Sequence, residues 1–183
     1  MSPKLRKYLI LAHLWFAGIM APAFVLHALS GGLYLLDIKG EAATERVALP
    51  SGASLNFESP TLEADVRALL KDANLDHEFE YIRNRGTRIE LRPTSKTYLE
   101  FTNSSQGLSA TRVKPDTVRS MMELHKGHGP QLFKTYQKFV ALLLIGVVLG
   151  GILVGLLAKA YRRQTIIAVI VGGIIFWLVG FIL

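Results

Sequence analysis

The sequence predicts a membrane α-helical protein: three transmembrane helices, with a small α+β extracytoplasmic domain inserted between the first and the second. Three observations predict it. No charged side chain occurs from Tyr8 to Leu36, from Phe139 to Ala158, or from Gln164 to Leu183. About 20 apolar residues span the hydrocarbon core of a bilayer at the helical rise. The remaining charge crowds into segment 37–138, which holds 15 basic and all 14 acidic residues. Inside that segment the apolar period changes from helical to alternating. Buried helices of a large soluble core are a poor alternative, because the polar remainder could not wrap three such segments.

The elements follow in order. Residues 1–36 are a basic N-terminus and the first span. The basic start, the apolar run and Ala21-Pro22-Ala23 look like a signal peptide. The apolar run continues to Leu36, so the expectation is a retained signal anchor, with Pro22 kinking it in mid-span. Residues 37–131 are the inserted domain. A short strand is expected around Val47. Ser59-Pro60 offers an N-cap and a first-turn proline, and Leu62, Val66, Leu69 and Leu70 follow on one helical stripe, with Asn74 as its C-terminal cap.

From His77 the period becomes two. Strands are expected at 78–83, 87–92 and 96–102, with a shorter fourth at 108–113, joined by turns at Asn84-Arg85-Gly86, Pro93-Thr94-Ser95 and Asn103–Gly107. Pro115-Asp116 then opens a helix bearing Val118, Met121, Met122 and His125. The helices are expected to cover one apolar face of the meander. Glu78, Glu80, Glu90 and Glu100 alternate with Arg83, Arg88 and Arg92, and read as solvated cross-strand pairs. Residues 132–160 are the second span; 161–183 are a basic turn and the third.

The net charge of +7 is topological. Lys4, Arg6 and Lys7 precede the first span, and Lys159, Arg162 and Arg163 sit in or beside the turn before the third. Basic flanks stay on the cytoplasmic side. The expectation is therefore a multi-pass protein of the bacterial inner (plasma) membrane, with a cytoplasmic N-terminus and a periplasmic 37–131 domain. No basic patch remains for phosphates, so nucleic acid is not an expected partner. Cysteine is absent, which excludes disulfides, thiolate metal sites and iron–sulfur clusters. There is no Gly-rich phosphate loop and no Ser–His–Asp grouping, so an enzyme is the weaker expectation.

The first span resembles the opening helix of the PepSY-associated transmembrane helix family. His13, Trp15 and Gly18 match its His-x-Trp-x-x-Gly-like start, and Ser30-Gly31 its Ser/Thr-Gly end. Leu124-His125-Lys126-Gly127 matches the Leu-His-x-Gly stretch entering the next helix, and Gly146, Gly150 and Gly151 its late glycines. The resemblance covers most of the chain in order, on a chain smaller than the longer members. It implies a membrane-embedded protein with a single PepSY-type α+β module, a module linked to peptidase inhibition and sensing. Some larger relatives are implicated in haem binding and iron–siderophore reduction.

Two functions follow as expectations. One is a non-enzymatic interaction or regulatory protein whose exported module binds a partner. The other is a haem-bearing electron-transfer subunit serving periplasmic iron reduction. Histidines inside or beside a span are functional candidates by default. His13 and His27 lie 14 residues apart on the first span, about 21 Å of rise. His27 lies on the outer half, as do His125 and His128, so His27 with either of them could bracket one haem b through axial imidazoles. His13, at the inner end, would need another subunit. A zinc site at His125-x-x-His128, with Glu123 or His27 added, is weaker, because Gly127 interrupts the helical spacing. His77 reads as a surface residue. Glycines four apart on the second span favour close packing with the third, or a homo-oligomer.

Overall fold

A computed structural model describes residues 3–182. In chain order the elements are α1 (Pro3–Leu35), β1 (Ala42–Val47), α2 (Leu62–Asp72), β2 (Tyr81–Asn84), β3 (Arg88–Arg92), β4 (Tyr98–Ser104), β5 (Gly107–Pro115), α3 (Thr117–His125), α4 (Gln131–Leu157) and α5 (Arg162–Phe181). Among the described residues, three helices are long and apolar enough to cross a membrane, and they are α1, α4 and α5. The chain divides into two compact units, one running to Ala23 and resuming at Lys138, the other Phe24–Gln137. The boundaries fall inside α1 and α4. The second unit is therefore the α+β module together with the end of α1 and the start of α4.

In the first unit, Pro22 lies inside α1 without ending it. The His13 ring packs beside Gly151 of α4, where an added Cβ would lie 3.5 Å from its Cε1. Gly155 meets the Thr165 side chain of α5, so the two helices approach closely at their turn. The expected packing of α4 on α5 through a glycine face goes no further. Gly146, Gly150, Gly172 and Gly173 have nothing within 4 Å to meet an added Cβ, and α5 has no buried residue among those described.

In the second unit the strands form one antiparallel sheet in the order β1-β5-β4-β3-β2. Consecutive strands β2 to β5 make the meander, and β1 returns to pair with β5. This explains why β5 is long rather than short: it runs Gly107–Pro115 because β1 and β4 both pair with it. The expected strand near Val47 is this edge strand. β2 starts later than expected, at Tyr81, where its pairing with Arg92 of β3 begins.

The sheet's two faces differ. Ile89 and Leu91 of β3, Leu99 and Phe101 of β4 and Ala110 of β5 share one face. They are buried against Val66 and Leu70 of α2, with Leu55, Phe57 and Phe79 completing the core. Leu62 and Leu69 pack on its margin, so the apolar stripe of α2 does what its spacing predicts. The helix begins at Leu62, and Ser59 Oγ accepts from Thr61 N–H at 3.2 Å rather than capping from the first turn. Asn74 ends it in the left-handed region at φ 50°, with Leu75 N–H returning to Leu70 C=O at 2.8 Å.

The opposite face carries α3. Expectation and structure part here: the helices take both faces, and the second is charged. Asp116 caps α3 by accepting from Arg119 N–H at 2.7 Å, and also accepts from Glu41 N–H at 2.8 Å. Gly40 makes that approach possible. Its φ is +70°, and an added Cβ would strike the Arg119 backbone nitrogen and Asp116 Oδ1.

Candidate functional site

Alternation in β3 sends Glu90 and Arg92 to the face opposite Ile89 and Leu91. They are not solvated there. Glu90 is 7% exposed, Arg92 3% and Glu123 of α3 7%. Charges so far from water need partners. Arg92 Nη2 donates to Glu90 Oε2 at 2.5 Å and Nη1 to Thr94 Oγ1 at 3.0 Å; Thr94 in turn donates to Glu123 Oε2 at 2.7 Å. Arg85 and Arg88 reach Glu90 from the solvent side at 3.0 and 3.7 Å. Arg119 and Lys126 reach Glu123 at 3.7 and 3.5 Å. Reading these glutamates and arginines as solvated pairs is thus corrected for Glu90 and Arg92. Sequence alternation marked the face but not that α3 covers it.

His128 joins this network. Its Nδ1 lies 2.7 Å from Glu123 Oε2, and its carbonyl accepts from Thr94 N–H at 3.1 Å. Burial opposes the charged form of Glu123. Hydrogen bonds from Thr94 and His128, with the nearby positive charges, outweigh it and hold the carboxyl below its ordinary value. The start of α4 is tied to the sheet in the same way. Gln131 N–H donates to Glu80 Oε2 at 2.6 Å, a carboxylate at a helix N-terminus. Lys134 donates to the Tyr81 hydroxyl and lies over its ring, 3.9 Å from the centroid.

The second cluster lies where α3 meets the end of α1. His27 and His125 have ring centroids 4.7 Å apart, with planes inclined by 47°. Ser30, fully buried, lies 2.6 Å from His125 Nδ1 through its hydroxyl oxygen. That hydroxyl also donates to Leu26 C=O at 2.6 Å, the carbonyl one turn back. One proton given to Leu26 leaves the oxygen as acceptor, which assigns the Nδ1–H tautomer to His125. Gln137 of α4 reaches the cluster at His27. Its amide nitrogen donates to Leu124 C=O at 2.8 Å and lies 3.3 Å from His27 Nε2. Burial pushes the His125 pKa down, and His27 and Lys126 add to the effect, which favours the neutral ring.

Of the five histidines, then, His27 and His125 meet in one cluster. His128 lies in the other with Glu123, and His13 belongs to the first unit, its Nδ1 buried without a hydrogen-bond partner among the described residues. His77 is half-buried, and burial followed by the Arg112 charge lowers its pKa. As placed, His27 and His125 do not fit a haem. Metal–imidazole bonds of about 2 Å on opposite faces of one iron would set the ring centroids about 6 Å apart. Among the described residues no three His, Cys, Asp or Glu side chains are grouped to hold a metal ion, and Glu123 already accepts from His128 and Thr94.

Ser30, Thr94 and Gln137 gained their roles only in three dimensions. Gln137 carried one faint signal, a carboxamide between Lys134 and Lys138 just before the apolar run from Phe139. No protein-family model, curated protein or solved structure matches this chain.

Proposed function

We propose that the chain is an integral protein of a bacterial inner membrane, spanning it with α1, α4 and α5, and that its α+β module is a PepSY-type periplasmic domain. The N-terminus and the α4–α5 turn lie in the cytoplasm. The protein is a non-enzymatic regulatory or interaction protein whose module binds a protein partner, or a second copy, and passes the event to its helices. One observation carries this reading: buried polar bonds link the sheet face through α3 to the first turns of α4 and the last turns of α1. Glu123, Thr94 and His128 form one link, and Ser30, His125 and Gln137 the other. A partner pressing on the module then acts on the ends of two spans.

The lack of cysteine makes the topology directly testable. Ser51→Cys in the module should react with a membrane-impermeant maleimide in intact spheroplasts, and Lys159→Cys only after lysis. Reaction of both would overturn the orientation. The coupling has its own test in hydrogen exchange on the full chain in nanodiscs. Glu123→Gln should speed exchange in 93–97, 126–137 and the end of α1 together. Faster exchange confined to 93–97 would refute the relay.

A further inference from the structure

A cavity of about 230 Å³ opens beside the second cluster, lined by Ser30, Gly31, Tyr34, Met122, His125 and Lys126. Its polar chemistry is unusually constrained. With His125 Nδ1–H given to Ser30, the ring's other nitrogen, Nε2, is a pure acceptor, and no hydrogen bond reaches it from the described residues. Lys126 offers little to an anion, because its Nζ lies 3.5 Å from Glu123 Oε1. A phosphate or carboxylate would therefore find a neutral acceptor and a compensated cation. A hydroxyl donor finds a partner.

The rest of the lining favours a flat ring. Gly31 adds no side chain to the lining, and a Cβ there would lie 3.7 Å from His125 Cε1. Met122 is also in the lining, and a thioether makes favourable contacts with aromatic rings. Tyr34 also lines the cavity and carries the second polar group of the lining able to meet a ring oxygen, its hydroxyl. The cavity lies at the end of the apolar run of α1, where a molecule dissolved in the bilayer would arrive sideways.

We propose that this cavity binds the head group of a lipid-soluble quinol, with His125 Nε2 accepting a hydrogen bond from one ring hydroxyl and the tail lying along α1. Ser30 is the positioning residue that fixes the His125 tautomer. The proposal rests on α1 lying in the bilayer and not on the regulatory role of the module. Cysteine labelling reports on the first without any ligand.

The test is anaerobic equilibrium dialysis of the full chain in detergent against a decyl-substituted benzoquinol, with the matching benzoquinone and decanol as comparisons. The quinol should bind saturably at one per chain, about tenfold tighter than the quinone, which has no hydroxyl to donate. His125→Gln should weaken quinol binding by about the same factor. Ser30→Ala should keep the fold and bring the quinol-to-quinone ratio toward one, a change that loss of packing alone would not make. Equal affinity for quinol and quinone, binding of decanol as tight as quinol, or an unchanged ratio in Ser30→Ala would each overturn the proposal. Tyr34→Phe, at a partly exposed position, keeps the test open if His125→Gln does not fold. It should weaken quinol binding, and unchanged binding would overturn the pose.

Discussion

The two faces of the sheet are built from alternate residues of the same strands and hold different things. Under α2 lie Ile89, Leu91, Leu99 and Phe101, all fully buried. Under α3 lie Glu90 and Arg92, their immediate neighbours in sequence, also buried but held by ionic and hydrogen bonds. The hydrophobic driving force is non-directional. A charged hydrogen-bond network is directional and fixes one arrangement. The first face therefore makes the module stable. The second fixes how α3 and the segment before α4 sit on the sheet.

The largest break should come on the apolar face. Phe101→Ala should lower stability by about 3–5 kcal/mol, since a fully buried aromatic leaves a cavity. Its readout is the denaturant midpoint of the full chain in detergent, with the module's β signal lost and the apolar helices retained. A loss under about 1 kcal/mol would mean that this face is not the main source of stability.

The charged face should break differently. Glu123→Gln removes the negative charge beside His128 and Arg92 and replaces one acceptor oxygen with an amide donor, while Glu90 still holds the guanidinium. The expected loss is about 1–3 kcal/mol. More telling is its distribution. Exchange protection should fall around Thr94 and at the start of α4, and remain under α2. Uniform loosening of both faces would erase the distinction between them.

How legible this was from sequence follows the same divide. Features set by local period or local capping were readable: the three apolar helices, the α2 stripe, the meander, Asp116 at the start of α3. β1 was visible as a strand near Val47, but not its pairing with β5, because nothing near Val47 records a partner more than 60 residues away. The buried Glu90–Arg92 pair was misread because alternating charge looks the same whether water or α3 covers it. The sequence singled out the histidines, and topology allowed His27 to meet His125 or His128. Only the fold separates these two. His125 ends α3, whereas Gly127, at φ +74°, turns the chain so that His128 reverses onto Glu123.

The smallest effect is also the one that separates the two polar clusters by pH. The pKa of His125 lies below its ordinary 6.5, chiefly through burial, so the unfolded chain takes up a proton more readily than the folded one. Stability should begin to fall as pH drops through 6.5 and stop falling on this account once the folded ring is itself protonated. Glu123 works in a lower window. Its carboxyl is held below the ordinary 4.5, so its contribution is present above that value and lost as pH falls through the folded pKa. His77, also lowered by burial, shares the upper window and must be subtracted. Thermal midpoints of the full chain between pH 7.5 and 5.5 should therefore fall less steeply in His125→Gln than in the native chain, and less steeply again when His77→Gln is added. Glu123→Gln should leave that upper slope in place and flatten the curve only below about pH 4.5. If His125→Gln runs parallel to the native chain, the neutral imidazole contributes nothing to the stability of the joint between α3 and the end of α1, and of the three groups only Glu123 and His77 make stability depend on pH.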